Sequence, residues 1–298
     1  MMDRSDERRL VGDILALTAA VAFAFANASA SVAFQDGSNP ITLAAVRFVI
    51  PALVLAAWLG MESRSIWLPR RDGWIAASLG AVTAAYTWAV LSAIGTIPLA
   101  LAILIYYLFP LVATVILAAF GWETLSWKTT AAIVVAFIGL VLALDPRVGN
   151  VNVKGVLLGF AAAVGLGIVV AVSSRVFRTG DSRPVALYIA TVAAILLVAF
   201  CMHQGEFALP NTTWGWAGFA ATAFFYAFAM IAFFIAVSMI GPARSSLLCY
   251  AEPVVSAALG VALLGETLTL TQVSGIVLMV GALIGATMLK LKQQPTQA

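Results

Sequence analysis

One acidic residue lies deep inside an apolar stretch of this chain, Glu252. Ser245, Cys249, Glu252 and Ser256 follow one another at spacings of four, three and four, which places them on one helical face. A polar stripe within an apolar helix must face protein or water. A carboxylate there can bind a substrate ammonium or carry a coupling proton. It can equally serve as a structural partner for Arg47 or cap a backbone group. Arg47 sits some seven residues inside another apolar stretch. It reads first as structural, snorkelling outward or pairing internally, and second as a holder for a substrate carboxylate.

Aromatic residues surround these two in the pattern. Tyr86, Trp88, Tyr106, Tyr107, Tyr226 and Tyr250 all fall in the middle of apolar stretches. Trp and Tyr normally collect at the membrane interface, and a tyrosine at mid-depth needs a partner for its hydroxyl. Together the rings suit an aromatic-walled pocket with polar tips; core packing is the rival reading for each one singly. Trp58, Trp67, Trp74, Trp122, Trp127, Trp214 and Trp216 read as interfacial anchors. Asn27 and Ser31, and Ser173 and Ser174, add hydrogen-bonding candidates, or cap backbone groups. Pro110 opposes the carbonyl of Tyr106, and Pro253 that of Cys249. Each proline either frees a carbonyl toward a cavity or is a simple packing kink.

Other chemistries lack their residues. Cys201 and Cys249 both lie in apolar stretches and suggest neither a disulfide framework nor a metal site. His203, the single histidine, has no Cys or His neighbour. There is no His-Glu-x-x-His and no pair of midplane aspartates, so no catalytic residue, metal or cofactor is expected and the chain does not read as an enzyme. Rings of charge or a repeated filter sequence, which a channel would need, are missing as well.

These residues must be positioned by helices in lipid. The chain is 63% hydrophobic and 10% charged, with mean hydropathy +1.05, whereas a soluble domain carries about a quarter charged residues. Charged or Gly/Pro breaks divide it into ten stretches, 11–34, 41–60, 73–95, 98–120, 127–144, 155–176, 185–203, 214–238, 243–265 and 269–289. Each is about long enough to cross the hydrocarbon core. They are continuously apolar and not alternating, which argues against strands. The first reads as a membrane helix and not as a cleaved leader. With the amino terminus inside, thirteen of the sixteen Lys and Arg face the cytoplasm, two face outward (Arg147 and Lys154), and Arg47 lies within a stretch. That imbalance orients the chain with both termini cytoplasmic.

The chain is also duplicated. Tyr107-Leu-Phe-Pro110 is followed thirteen residues after its proline by Glu123-Thr-Leu; Tyr250-Ala-Glu-Pro253 is followed at the same distance by Glu266-Thr-Leu, and the copies are 143 residues apart. The halves are 1–146 and 147–298, five stretches each, so the second copy enters from the opposite side. Charged flanks of corresponding helices are reversed accordingly. Phe109 stands where the second copy has Glu252, so the two copies are not functionally equal. Glu123 and Glu266 read as amino-terminal caps of the fifth and tenth helices. Gly155-x-x-x-Gly159 and Gly281-x-x-x-Gly285 permit close helix approach within the monomer. Two inverted halves are a frequent transporter plan, with the substrate near the midplane.

These features, above all Leu264-Gly-Glu-Thr-Leu268 with Gln272 and Gly275, resemble the drug/metabolite transporter superfamily of EamA type over nearly the whole chain. Gly121-Trp-Glu123 departs mildly by placing Trp before the glutamate. The resemblance implies an all-α membrane protein of ten helices in two inverted five-helix repeats. It implies a secondary carrier in a bacterial inner membrane, nearest to the YddG-like exporters of amino acids, including aromatic ones. The superfamily also holds carriers of nucleotide-sugars, triose phosphates and quaternary amines. The first, third, fourth, sixth, eighth and ninth helices would surround the cavity, with the fifth and tenth peripheral. The partners expected are a small-molecule substrate and the lipid bilayer, with no nucleic acid; the expected state is a monomer, a dimer being the alternative.

Overall fold

The computed structural model describes residues 4–62, 67–122, 127–144, 152–176, 182–205 and 207–293. Twelve helices account for nearly all of them: α1 Arg4–Gln35, α2 Pro40–Met61, α3 Arg70–Ile94, α4 Leu99–Tyr106, α5 Phe109–Ala119, α6 Trp127–Leu144, α7 Val153–Val176, α8 Ser182–Gln204, α9 Thr213–Ile240, α10 Pro242–Cys249, α11 Ala251–Leu264 and α12 Leu270–Gln293. No strand occurs among the described residues. Eight of the ten expected stretches are single helices; the fourth and ninth are each broken in the middle. Nine helical segments of the described residues are long and apolar enough to cross a membrane, α4 with α5 and α10 with α11 counting as one each. The apolar part of α6, Thr130–Leu144, is shorter. This is a multi-pass membrane protein.

The two breaks have one cause. Proline carries no N–H, and its ring collides with the carbonyl four residues earlier. Tyr106 lies four before Pro110 and is the last residue of α4; Cys249 lies four before Pro253 and is the last residue of α10. Tyr107 and Leu108 fill the first break and Tyr250 the second. Pro51 does not interrupt α2, which runs continuously past it. α1 begins seven residues before the expected start at position 11, so its first two turns are polar and stand clear of the hydrocarbon.

Helices from the two halves alternate in space. α1 packs on α9, α10 and α11; α7 packs likewise on α3, α4 and α5. α2 packs on α8 and α9, and α3 on α8; α6 packs on α12. Exchanging the halves (α1 for α7, α2 for α8, α3 for α9) reproduces these neighbours. Other pairings do not survive the exchange among the described residues: α4 packs on α11 and α2 on α3, whereas neither α5 and α10 nor α8 and α9 make comparable packing.

Small residues set the closest approach, though not all those expected. A Cβ on Gly139 would strike the backbone of Gly275 and Met279, and one on Gly275 would strike that of Gly139 and Ala143, so α6 and α12 meet nearly backbone to backbone. Gly155 and Gly159 face Thr96, Ile97 and Ile105. At Gly281 and Gly285, expected to do the same, an added Cβ would meet no atom of another helix within 4 Å among the described residues.

Candidate functional site

The polar residues of the interior come together where α1, α2, α11 and the α4–α5 break meet. Glu252 opens α11 just beyond the break at Tyr250 and is 5% exposed. One of its oxygens, Oε1, accepts from Asn27 Nδ2 of α1 at 3.0 Å. The other, Oε2, accepts from the Tyr107 hydroxyl at 2.7 Å. Each of its two oxygens thus has a hydrogen-bond partner on a different element. Asn27 Oδ1 in turn accepts from Arg47 Nη2 of α2 at 2.6 Å. The interior cation and the interior anion are thus joined through a single carboxamide, and all three side chains are at least nine-tenths buried. Among the described residues Arg47 Nε has no hydrogen-bond partner, nor does the fully buried Ser256 Oγ one turn beyond Glu252.

The rings close around this line. The Arg47 guanidinium carbon lies 4.2 Å from the centre of the Tyr226 ring, within cation–π range. Phe23 and Phe48 meet Tyr226 edge-on, each with centroids 5.6 Å away. On the other flank Tyr106 neighbours Tyr86 at 6.2 Å, Tyr107 at 6.1 Å and Phe109 at 6.0 Å. Tyr107 also touches Phe109 and Tyr250.

The prolines do less for a cavity and more for this cluster than expected. The Cys249 carbonyl that Pro253 releases sits 3.0 Å from the Tyr107 hydroxyl. Tyr107 has one proton for two acceptors, and Glu252 Oε2 is the nearer. One helix break therefore feeds the other: a tyrosine from the first break reaches the carbonyl and the carboxylate that flank the second.

The remaining candidates lie apart from it. Ser245 is fully buried but returns its proton to Gly241 O in its own helix, at 2.9 Å. The Cys249 thiol faces Ala16 O on α1 at 3.9 Å. The Tyr250 hydroxyl pairs with Thr287 of α12 at 3.0 Å. Trp88 is 41% exposed on α3 and is not gathered in. Ser174 bonds its own helix at Ala171 O.

Sequence reasoning weighed Arg47 first as a structural group, pairing internally with Glu252 among the options, and second as a holder of a substrate carboxylate, and it kept α2 away from the cavity. The available signal was its isolation: one cation and one anion inside apolar stretches of one chain are each other's cheapest partners. Pro51, four residues beyond Arg47, marked the place a second time.

The Glu266 expectation is corrected as well. Gly265 turns in the left-handed region (φ +68°), where glycine alone is unstrained. The chain then folds back, with Glu266 N–H donating to Gly260 O at 3.0 Å. The Glu266 side chain lies against Gly260, where a Cβ would collide with it. Its carboxylate accepts from Leu99 N–H at 2.5 Å and Ala100 N–H at 3.5 Å. It caps α4, a helix of the other half, and not α12. α12 is capped by its own Thr269 and Gln272, each side chain taking the other's backbone N–H. Glu123 lies outside the described residues.

A model of the EamA-like transporter family matches residues 10–144 and again residues 153–288. One crystal structure, described only as that of a protein, superposes with a TM-score of 0.64 over 97% of this chain and 99% of its own, at 23% identity. At that identity the likeness is one of fold. No curated protein matches the sequence.

Proposed function

The chain belongs to the EamA-like transporter family, and on that premise we propose that it is a secondary exporter of amino acids, aromatic ones included, across the bacterial inner membrane. The observation that carries this reading is the buried Arg47–Asn27–Glu252 line within its shell of rings. A site with one cation and one anion matches a substrate that carries both. A quaternary amine would leave Arg47 idle; a nucleotide-sugar or triose phosphate would meet a single cation already balanced by a carboxylate. Tyr86, Tyr106, Tyr107, Tyr226 and Glu252, with Arg47, form the substrate-binding set, and Asn27 joins its two ends; Ser245, Cys249, Tyr250 and Trp88 lie at or beyond its edge.

Transport proceeds by alternating access, the halves 1–146 and 147–298 rocking about this line. The α4–α11 contact closes the end that the Lys/Arg distribution assigns to the outside. The looser α5–α10 side is the way in from the cytoplasm. Glu252 is the carboxylate of this line, and the group placed to carry a coupling proton between the two states.

Saturable counterflow of labelled amino acids in proteoliposomes is the expected result. Flux that rises linearly with concentration would mean a channel, and product formation without transport an enzyme. Counterflow with choline or a nucleotide-sugar, and none with any amino acid, would replace the substrate class. Glu252→Gln is expected to abolish pH-gradient-driven transport; if driven transport survives, the proton role is wrong.

A further inference from the structure

We propose that Asn27 is a built-in stand-in for the substrate: its carboxamide occupies the place of an α-amino acid's ammonium and carboxylate, and so makes the site selective for the α arrangement. The inference rests on the amino-acid reading above and adds to it a geometry and a residue.

The carboxamide presents one donor and one acceptor on a single carbon. The donor, Nδ2, meets Glu252 Oε1 at 3.0 Å, and the acceptor, Oδ1, meets Arg47 Nη2 at 2.6 Å. An ammonium belongs opposite a carboxylate, and a carboxylate opposite a guanidinium. Standard bond lengths put the amide nitrogen and oxygen about 2.2 Å apart, and the nitrogen and nearer oxygen of an α-amino acid about 2.7 Å apart. The exchange thus needs a shift of about half an ångström, within the reach of ordinary side-chain adjustment. A β-amino acid inserts a further carbon and a further torsion, which spreads the charged ends beyond this gap.

The partners are under-used by the amide in the way a stand-in predicts. A guanidinium binds a carboxylate as a fork, through two parallel N–H bonds. The Asn27 oxygen takes Nη2 only, and Arg47 Nε is buried without a partner. A carboxylate has the second oxygen that Nε lacks. Replacing neutral–charged bonds by bonds charged at both ends also favours the substrate over the amide. With no substrate present, the carboxamide keeps both buried charges bonded, so the empty carrier can reorient without exposing an unpaired ion to a dry interior.

The test uses the full-length protein in nanodiscs and proteoliposomes. L-phenylalanine, L-leucine and L-threonine are each compared with their β3-homologues by thermal shift and by competition for counterflow. 2-Phenylethylamine and 3-phenylpropionate serve as the single-charge probes. Each α-amino acid that binds should compete at a concentration at least about tenfold below its β3-homologue, and the single-charge probes should not compete; each tenfold step corresponds to the loss of one modest contact. Equal competition by the β3-homologues, or by either single-charge probe, overturns the stand-in while leaving an amino-acid carrier in place. Binding of no amino acid overturns both. Asn27→Ala supplies the second readout. Removing a stand-in should lower the stability of the empty protein and enlarge the thermal shift that the amino acid produces. Amino-acid binding at least tenfold weaker in this variant would make Asn27 an ordinary substrate contact, and the proposal wrong. Should the variant fail to fold, the competition series on the natural protein decides alone.

Discussion

The two broken helices are copies of one another, and they do different things. Each ends four residues before a proline, and each resumes after a tyrosine. The Tyr107 hydroxyl of the first break crosses to the other half, to Glu252 and the Cys249 carbonyl. The Tyr250 hydroxyl of the second stays in its own half, on Thr287. Next to the first proline stands Phe109, which meets two tyrosines tilted or edge-on; next to the second stands Glu252, which takes a hydrogen bond on each oxygen. Duplication thus supplied the frame twice, while the polar chemistry was installed once. What is repeated follows from backbone sterics, and what differs is the place where the proposed site distinguishes one half from the other.

The sharpest way to break this contrast is through the charges. Arg47→Ala leaves Glu252 buried without its cation, which typically costs about 3–5 kcal/mol. The expected outcome is loss of counterflow and a large fall in unfolding temperature in detergent. Combining it with Glu252→Leu should restore much of the stability and none of the transport. If the double variant is no more stable than Arg47→Ala alone, the two residues are not coupled.

Next in size is the tyrosine pair. Tyr107→Phe removes a bond to a charged group, about 1.5–3 kcal/mol, whereas Tyr250→Phe removes a neutral one, about 0.5–1.5 kcal/mol. Transport should fall at least tenfold in the first and less than threefold in the second; equal effects would restore equality to the two breaks. Smaller still is a pH effect at Glu266. Burial pushes its carboxyl above the usual range, and the Leu99 and Ala100 N–H groups only partly offset this. The closed outer end therefore holds the proton more tightly than an opened, hydrated one. Closure is fully favoured below the ordinary glutamate value of about 4.3 and weakens as pH rises from there toward the raised value. Labelling of a cysteine placed at Leu268 should speed up over that rise, and Glu266→Gln should flatten the profile. Trp88→Leu marks the floor, since its exposed ring touches none of the cluster: stability should change by less than about 0.5 kcal/mol, with counterflow unaltered.

The helical fold was legible because lipid leaves few alternatives: an apolar run of membrane length is a helix, and a proline inside one breaks or bends it. Glu252, Asn27 and Tyr107 were legible because polar groups at mid-depth are costly and must be met. Arg47 was legible only as alternatives, snorkelling, internal pairing or a substrate contact, since a sequence does not reveal which way a long cation points. The cap at α4 was invisible for another reason. Glu266 precedes α12 closely in the chain, yet the N–H groups it serves are 166 and 167 positions away. Trp88 shows the converse limit: a mid-helix ring has two faces of the helix to choose from, and this one remains 41% exposed.

The carboxylate that tops α4 belongs to one half of the chain, and α4 to the other. Pro98 offers that helix no side-chain cap of its own. Shutting the outer end and finishing the first turn of α4 are therefore a single event. On the alternating access proposed above, the amides of Leu99 and Ala100 would pass from carboxylate to water as the halves part there, and their hydrogens would begin to exchange. Those two amides form a natural clock for the protein's outward excursions, one that runs without a label or a substrate.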